Sequence, residues 1–514
     1  MTAQTAKWNA ASALAAAWLF ICAPACSAAA SQESPVEAAR FAREAALGKI
    51  AEHASRIASF GSRQTGQPGC DLTAAYIRDR FEEIGLQNVS LQTAPVCVPV
   101  SGTASLDLAD GSTVEAWPMA PNCVQPCSTP AGGIEGHLLY AGKGTLEELS
   151  GKDIAGAIVV MDYNSADNWI TAAEFGAVAA VFIEPESTTW RQTDGKYLDM
   201  IPFNFPRVWV SRNDARALIT AAEDSAQAVL HSQMRLDNVE APWVEAFLPG
   251  TDNIKETINL VTHFDTRSIV PALSPGGDEI WGVSTLIELA RYFRENPPPA
   301  NVRFIAFSGN WQGQALSRLY VSQTLDRIGE VDRITCGIDL STESTGLSVD
   351  YNGLIGDYES PDFKDLKRIL FGESGTERRG IAGEIRDVLG EDHLLTGGLA
   401  PQPHESEWHL AEMENKRPLT RAPRFYTPNE SWEQTRGLAV VFQTDRVWRY
   451  SHNSPLATFE GSLAGRSVAR SMRTPRRLSL GYGLISSRFP PFSILTEPSV
   501  ATFPKSIQVP SGFR

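Results

Sequence analysis

INLVTHFD (258–265), SPGGDEIWGVSTLIELARYF (274–293), VRFIAFSGNWQG (302–313) and ITCGIDL (334–340) decide how this chain is read. The first, third and fourth open with short apolar runs of the kind that form strands buried on both faces. Between the first two runs, Val283, Leu286, Ile287, Ala290 and Phe293 recur at helical spacing, and the pattern ends at Asn296 before a run of prolines. A further strand-like run covers 438–442. Strands separated by helix-length segments predict an α/β fold: a mostly parallel mixed sheet flanked by helices. Ligands of such sheets gather at the carboxyl ends of the strands. His263, Asp278, Asn310, Trp311 and Asp339 fall there.

These residue types point to metal chemistry. A neutral His263 with the carboxylates of Asp278 and Asp339 makes a sound three-ligand zinc set that leaves a coordination position open. Glu279 and Glu343 are further carboxylates close by in sequence, and Trp311 offers an apolar floor for a ligand. The run His404-Glu405-Ser406-Glu407-Trp408-His409 superficially resembles a helical zinc motif. Histidines five apart lie about 140° round a helix rather than about 40°, so they cannot share one metal, and the run reads as a polar loop. The chain has no Gly-x-Ser-x-Gly elbow and no phosphate-binding glycine loop, which removes serine hydrolase and nucleotide readings.

The order His263-x-Asp265 at a strand end, Pro-Gly-Gly-Asp278 before a helix, a strand running into Gly309, and Asp339 closing another strand resembles the di-zinc aminopeptidases and glutamate carboxypeptidases. The resemblance is loose over roughly residues 45–460 and tight from Ile258 to Leu340. It implies that His263 and Asp339 hold one zinc, that Asp278 bridges two, and that Asp265 orients His263. It also implies a Glu-Glu pair after the third strand, the first as general base and the second as a ligand of the other zinc. Here Asn310 and Trp311 take those two positions. An amide cannot accept the proton of a metal-bound water, and a general base is worth ~10²- to 10⁴-fold. An indole has no lone pair for a metal, so at most one zinc is expected. The resemblance places its last ligand near the end of the domain, where His452 or Asn453 fills the slot.

Composition frames these readings. A chain of 514 residues with 43% hydrophobic and 20% charged residues is globular and long enough for two or three compact units. Its formal charge of −15 argues against a nucleic-acid surface. Lys7, an apolar run over 11–25 and Ala28-Ala29-Ala30 read as a secretory signal, so export to a periplasmic or extracellular space is expected. Lipidation of Cys26 is an alternative that would tether the protein to a membrane, and no later segment has the length and apolarity of a transmembrane span. Cys70, Cys97, Cys123 and Cys127 could form two disulfides in such a compartment, whereas Cys336 reads as a core residue.

The expected organisation is a signal peptide over 1–30, an N-terminal part of the peptidase-like domain over 31–125, a small insert over 126–240, the α/β domain over 241–472 and an irregular basic tail over 473–514. Asp71 is positioned to cap a helix bearing Ala74, Ile77, Phe81 and Ile84, with Gly85 as its stop. Residues 89–119 alternate in short strand-like runs. In the insert, 154–161 and 176–183 read as strands around a helix at 169–175, an order that resembles the protease-associated domain and suggests a role in binding or covering a cleft. The function expected is that of an exported pseudo-peptidase that binds peptide or protein. The alternative is an active metal-dependent aminopeptidase or carboxypeptidase using one zinc and a substitute base.

Overall fold

The computed structural model describes residues 48–277, 279–328, 331–339, 347–352, 438–444 and 454–457. The expected signal peptide, the 404–409 run and the basic tail lie outside them. Helix α1 (48–58) is followed by α2 (Pro68–Ile84). The N-cap of α2 is Gln67 and Pro68 opens the helix, so Asp71 sits in the first turn instead of capping it. Proline takes that place because the N–H it lacks has no helical partner there. Gly85 ends α2 with φ of 80°, as expected.

Residues 87–118 differ from the short runs expected. They form one long strand, β1 (Gln87–Leu108), and a short one, β2 (Thr113–Pro118). There follow β3 (Ile134–Gly142), α3 (Leu146–Leu149), β4 (Ile158–Asp162), α4 (Trp169–Glu174), β5 (Ala179–Ile183), α5 (Trp190–Asp194), β6 (Arg207–Val210), α6 (Arg212–Glu223) and β7 (Gln227–Leu248). Along β7 the burial alternates from 227 to 234 and becomes continuous over 241–244. The change marks where the strand passes from a half-covered sheet into one covered on both faces. β1 and β7 pair antiparallel along almost their whole length.

That ribbon joins two sheets. In the first, built from residues between 87 and 248, the pairings run β1–β2–β6–β5–β4–β3–β7, and the β1–β7 pairing closes the circuit. β3, β4, β5 and β6 are parallel, with apolar clusters on both faces. In the second sheet β7 pairs with β9 (Asn301–Phe307), which lies parallel to β8 (Thr257–His263). β8 is parallel to β10 (Asp332–Asp339), and β10 to β12 (Leu438–Thr444), while β11 (Leu347–Asn352) is antiparallel at the edge. The mostly parallel mixed α/β sheet read from the sequence is therefore present. Helix α7 (Trp281–Glu295) joins β8 to β9 and buries Val283, Leu286, Ile287, Ala290 and Phe293, while α8 (Ala315–Thr324) leads towards β10.

Strand order makes β8 the switch point. The chain steps from β8 to β9 on one side and then to β10 on the other. Connections leaving in opposite directions open a crevice at the carboxyl end of the strand between them. His263 is the last residue of β8.

Candidate functional site

Register brings the two sheet-borne candidates level. Gly337 of β10 pairs with Val261 of β8, and Thr262 Oγ1 donates to the Ile338 carbonyl at 2.8 Å, so His263 and Asp339 end adjacent parallel strands. Asn310 and Trp311 begin the turn after β9, on the same edge. His263 is buried, and its Nδ1 lies 3.1 Å from the Asp265 carbonyl oxygen and 3.4 Å from Asp265 Oδ1. A carbonyl can only accept, so Nδ1 carries the proton and Nε2 keeps the lone pair a metal needs. That geometry fits one imidazole ligand. Asp278, Glu343 and His452 lie outside the described residues, and among the described residues no three metal-binding side chains cluster.

Asp265 does more than orient the imidazole. Its carboxylate is fully buried, and Oδ2 accepts from Thr65 Oγ1 at 3.0 Å, from Asn310 N at 3.0 Å and from Trp311 N at 3.5 Å. Thr65 Oγ1 in turn accepts from Gly309 N at 2.9 Å. The first two residues after the β9 loop's glycine are thus fixed by the aspartate that also faces His263. Trp311 meets His263 edge to face, with ring centroids 6.3 Å apart at 89°. The Arg267 guanidinium lies over the same indole, 5.9 Å from its centroid. No carboxylate stands at position 310 or 311, so the second metal of a dinuclear centre would lack that donor.

Sequence reasoning missed the segment that holds the site together. Arg63 is buried and donates to the carbonyls of Phe264 (3.2 Å), Pro275 (2.5 Å) and Gly276 (3.0 Å). Its backbone exchanges hydrogen bonds with Ser274 and Thr266, and Ser62 Oγ donates to Pro271 O at 2.8 Å. A polar stretch between Gly61 and Gly66 looks like a surface loop in sequence, and nothing in it signals burial. Gly276 has φ of +50°, and a Cβ there would come within 2.1 Å of Thr266 Cγ2. The tight turn before Asp278 therefore needs glycine. Gly277 N donates to Ala457 O at 2.6 Å, which brings the chain just after His452 against the residue before Asp278.

Glu279 is mostly buried, and its backbone N donates to Gly276 O at 3.0 Å. It lies close to Tyr197, whose phenol is pushed up mainly by burial, with Asp199 and Glu279 adding to the rise against Arg267. The cysteines depart from the disulfides considered above: Cys70, Cys97, Cys123 and Cys127 are free thiols. Cys97 faces solvent from β1, whereas Cys127 is buried and points to the Ala120 carbonyl. Cys70 is buried near Ser308 and Asp265, and desolvation raises its thiol far above the ordinary value. Cys336 is a fully buried core residue, as read.

The mostly parallel sheet, with candidate residues at the carboxyl ends of its strands, places the chain in the α/β class. More narrowly, residues 244–380 match Peptidase family M28, a span that contains His263, Asp265, Asp278, Asn310, Trp311 and Asp339. Among solved structures, the zinc aminopeptidase from Bacillus subtilis is similar at 16% identity, covering 84% of this chain and 96% of that one with a TM-score of 0.49. A Peptidase M28 precursor from Shewanella amazonensis SB2B aligns at 13% identity over 89% of this chain and 98% of its own, with a TM-score of 0.46. An aminopeptidase from Aneurinibacillus sp. strain AM-1 aligns at 16% identity over 84% and 95%, with a TM-score of 0.40. No curated protein matches the chain. Among the described residues no helix is long and apolar enough to cross a membrane.

Proposed function

We propose that this chain is an exported pseudo-peptidase that holds at most one zinc, at His263, Asp278 and Asp339 with His452 near by, and binds a peptide or protein with little or no hydrolysis. The observation that carries the reading is the loop after β9. Asn310 and Trp311 are held on Asp265 through their backbone N–H groups, which fixes an amide and an indole where base and second ligand would be needed. An amide at 310 cannot take a proton from water, so that position supplies no general base. Trp311 supplies instead a flat apolar surface beside the imidazole, suited to a ligand side chain. Bound zinc would polarise a ligand carbonyl. His263 would present Nε2 to the metal, and Asp265 would hold the tautomer.

The inserted unit, read as protease-associated-like, would wall the cleft, and the leader would deliver the protein outside the cytoplasm, tethered there if Cys26 is lipidated. The M28 match favours a second reading, an active exopeptidase with one zinc and a carboxylate such as Glu279 or Glu343 as substitute base. The deciding experiment measures zinc per chain in the purified protein and assays N-terminal aminoacyl and C-terminal glutamyl peptides. Turnover abolished by chelation and by Asp278→Asn would overturn the pseudo-peptidase reading. Peptide binding without turnover, with no more than one zinc, supports it.

A further inference from the structure

We infer that Ile269 and Val270 are positioning residues for the metal loop, and that the inserted unit is a fixed buttress of the site instead of a lid over it. The inference rests on the reading of 263–278 as the segment between two metal ligands. From His263 the chain leaves the second sheet, and the middle of the loop is built into the other unit. Ile269 and Val270 are fully buried in the apolar cluster that holds Tyr163, Trp169, Phe182 and Trp209, with Leu273 packed against it. The Ile269 carbonyl accepts from Ala120 N at 2.7 Å.

Two residues earlier, the Arg267 guanidinium stacks on the Tyr197 ring at 3.9 Å and pairs with Asp199 at 3.3 Å. The return limb is gripped from the other side by Arg63, through the Pro275 and Gly276 carbonyls. A lid that opens needs a polar, wettable seam. Here opening would pull two apolar side chains out of a close-packed core into water, so the loop and the insert move together. The path of the chain from His263 to Gly277 is then set by the core of the insert as much as by the parallel sheet.

The test compares two cavity variants of the full-length mature chain. Ile269→Ala loosens the loop's anchor, whereas Leu218→Ala removes a fully buried side chain from the cluster on the opposite face of the first sheet. Hydrogen exchange over 264–277 is expected to rise tenfold or more in Ile269→Ala and to stay at the wild-type rate in Leu218→Ala. Zinc affinity, read by chelator competition, is expected to fall about tenfold in the first alone, as for other residues that orient metal ligands. Ile269→Val restores both readouts, and Val270→Ala replaces Ile269→Ala if that variant does not fold. Equal loop exchange in the two cavity variants overturns the inference. If the wild type holds no zinc, the metal reading fails and the exchange comparison alone decides whether the insert holds the loop.

Discussion

Asp265→Asn probes the point where the strand end, the β9 loop and the buried Arg63–Thr65 segment meet. The carboxylate has two short bonds on one oxygen, from Thr65 Oγ1 and Asn310 N, both at 3.0 Å, and its other oxygen faces His263 Nδ1 at 3.4 Å. A hydrogen bond to an ionised acceptor contributes roughly 1.5–3 kcal/mol, against roughly 0.5–1.5 kcal/mol for a neutral one. Converting two such bonds loses about 2 kcal/mol, and the longer Trp311 contact adds little. An amide is less costly to bury than a carboxylate, which offsets part of the loss and leaves about 1–2 kcal/mol of destabilisation.

The imidazole suffers separately. With its oxygen kept on the loop, the new amide turns its NH₂ towards Nδ1. The backbone carbonyl of residue 265 still holds the proton on Nδ1, so two donors now face each other and the ring is pushed out of the orientation a metal needs. Zinc affinity should fall ~10- to 100-fold. Urea unfolding of the apo protein gives the first quantity and chelator competition the second. A variant within about 0.5 kcal/mol of wild type, against the 1–2 expected from bond strengths, would show that Asp265 is not the pin of this loop.

Other expectations concern the supports of the site. Lys196 is fully buried, donating to Ser165 Oγ and the Ala166 carbonyl, and desolvation, with the nearby Arg207, lowers its pKa from 10.5 to about 7. The folded chain sheds this proton before the unfolded chain does, so its contribution to stability rises with pH between 7 and 10.5. The gain is about 1.5 kcal/mol from roughly pH 7 to 8.5, and urea unfolding across that range should lose this part of its slope in Lys196→Met. An unchanged slope would place the titration elsewhere. Arg63→Lys replaces a fork that reaches three carbonyls with a single ammonium, and should cost about 2–4 kcal/mol by thermal or urea unfolding. Wild-type stability in that variant would mean that the segment is held by its backbone alone. Trp311→Glu returns a carboxylate to the second-metal position and should raise bound zinc per chain, counted by elemental analysis. An unchanged ratio would mean that more than the missing donor excludes the second ion.

Much of the α/β sheet was legible because buried parallel strands leave a local signature. Runs such as 258–262 and 302–307 are mostly apolar and buried on both faces, and a helical period of five apolar residues filled the gap between them. β1 was harder. Its burial alternates in two stretches separated by partly exposed residues, so one strand of 22 residues reads as several short ones. The long pairing with β7 that makes it continuous joins residues such as Thr93 and Pro242, which are far apart in sequence. Asp71 shows the same limit on a smaller scale, because a capping aspartate and a first-turn aspartate differ only by where the preceding chain turns.

The sequence by itself determined the chemistry on offer: a histidine and an aspartate ending strands, and an Asn310-Trp311 pair in place of carboxylates. Those properties follow from residue type and local period, which need no partner. The tertiary structure alone decided what holds that chemistry in place. Asp265 accepts from a threonine 200 residues earlier and from the β9 loop, and Arg63 spans carbonyls on both limbs of the loop after β8. Ile269 and Val270 belong to the core of the other unit. Each of these depends on polar or apolar groups finding partners across the fold, where burial makes an unmatched group costly and a matched one decisive.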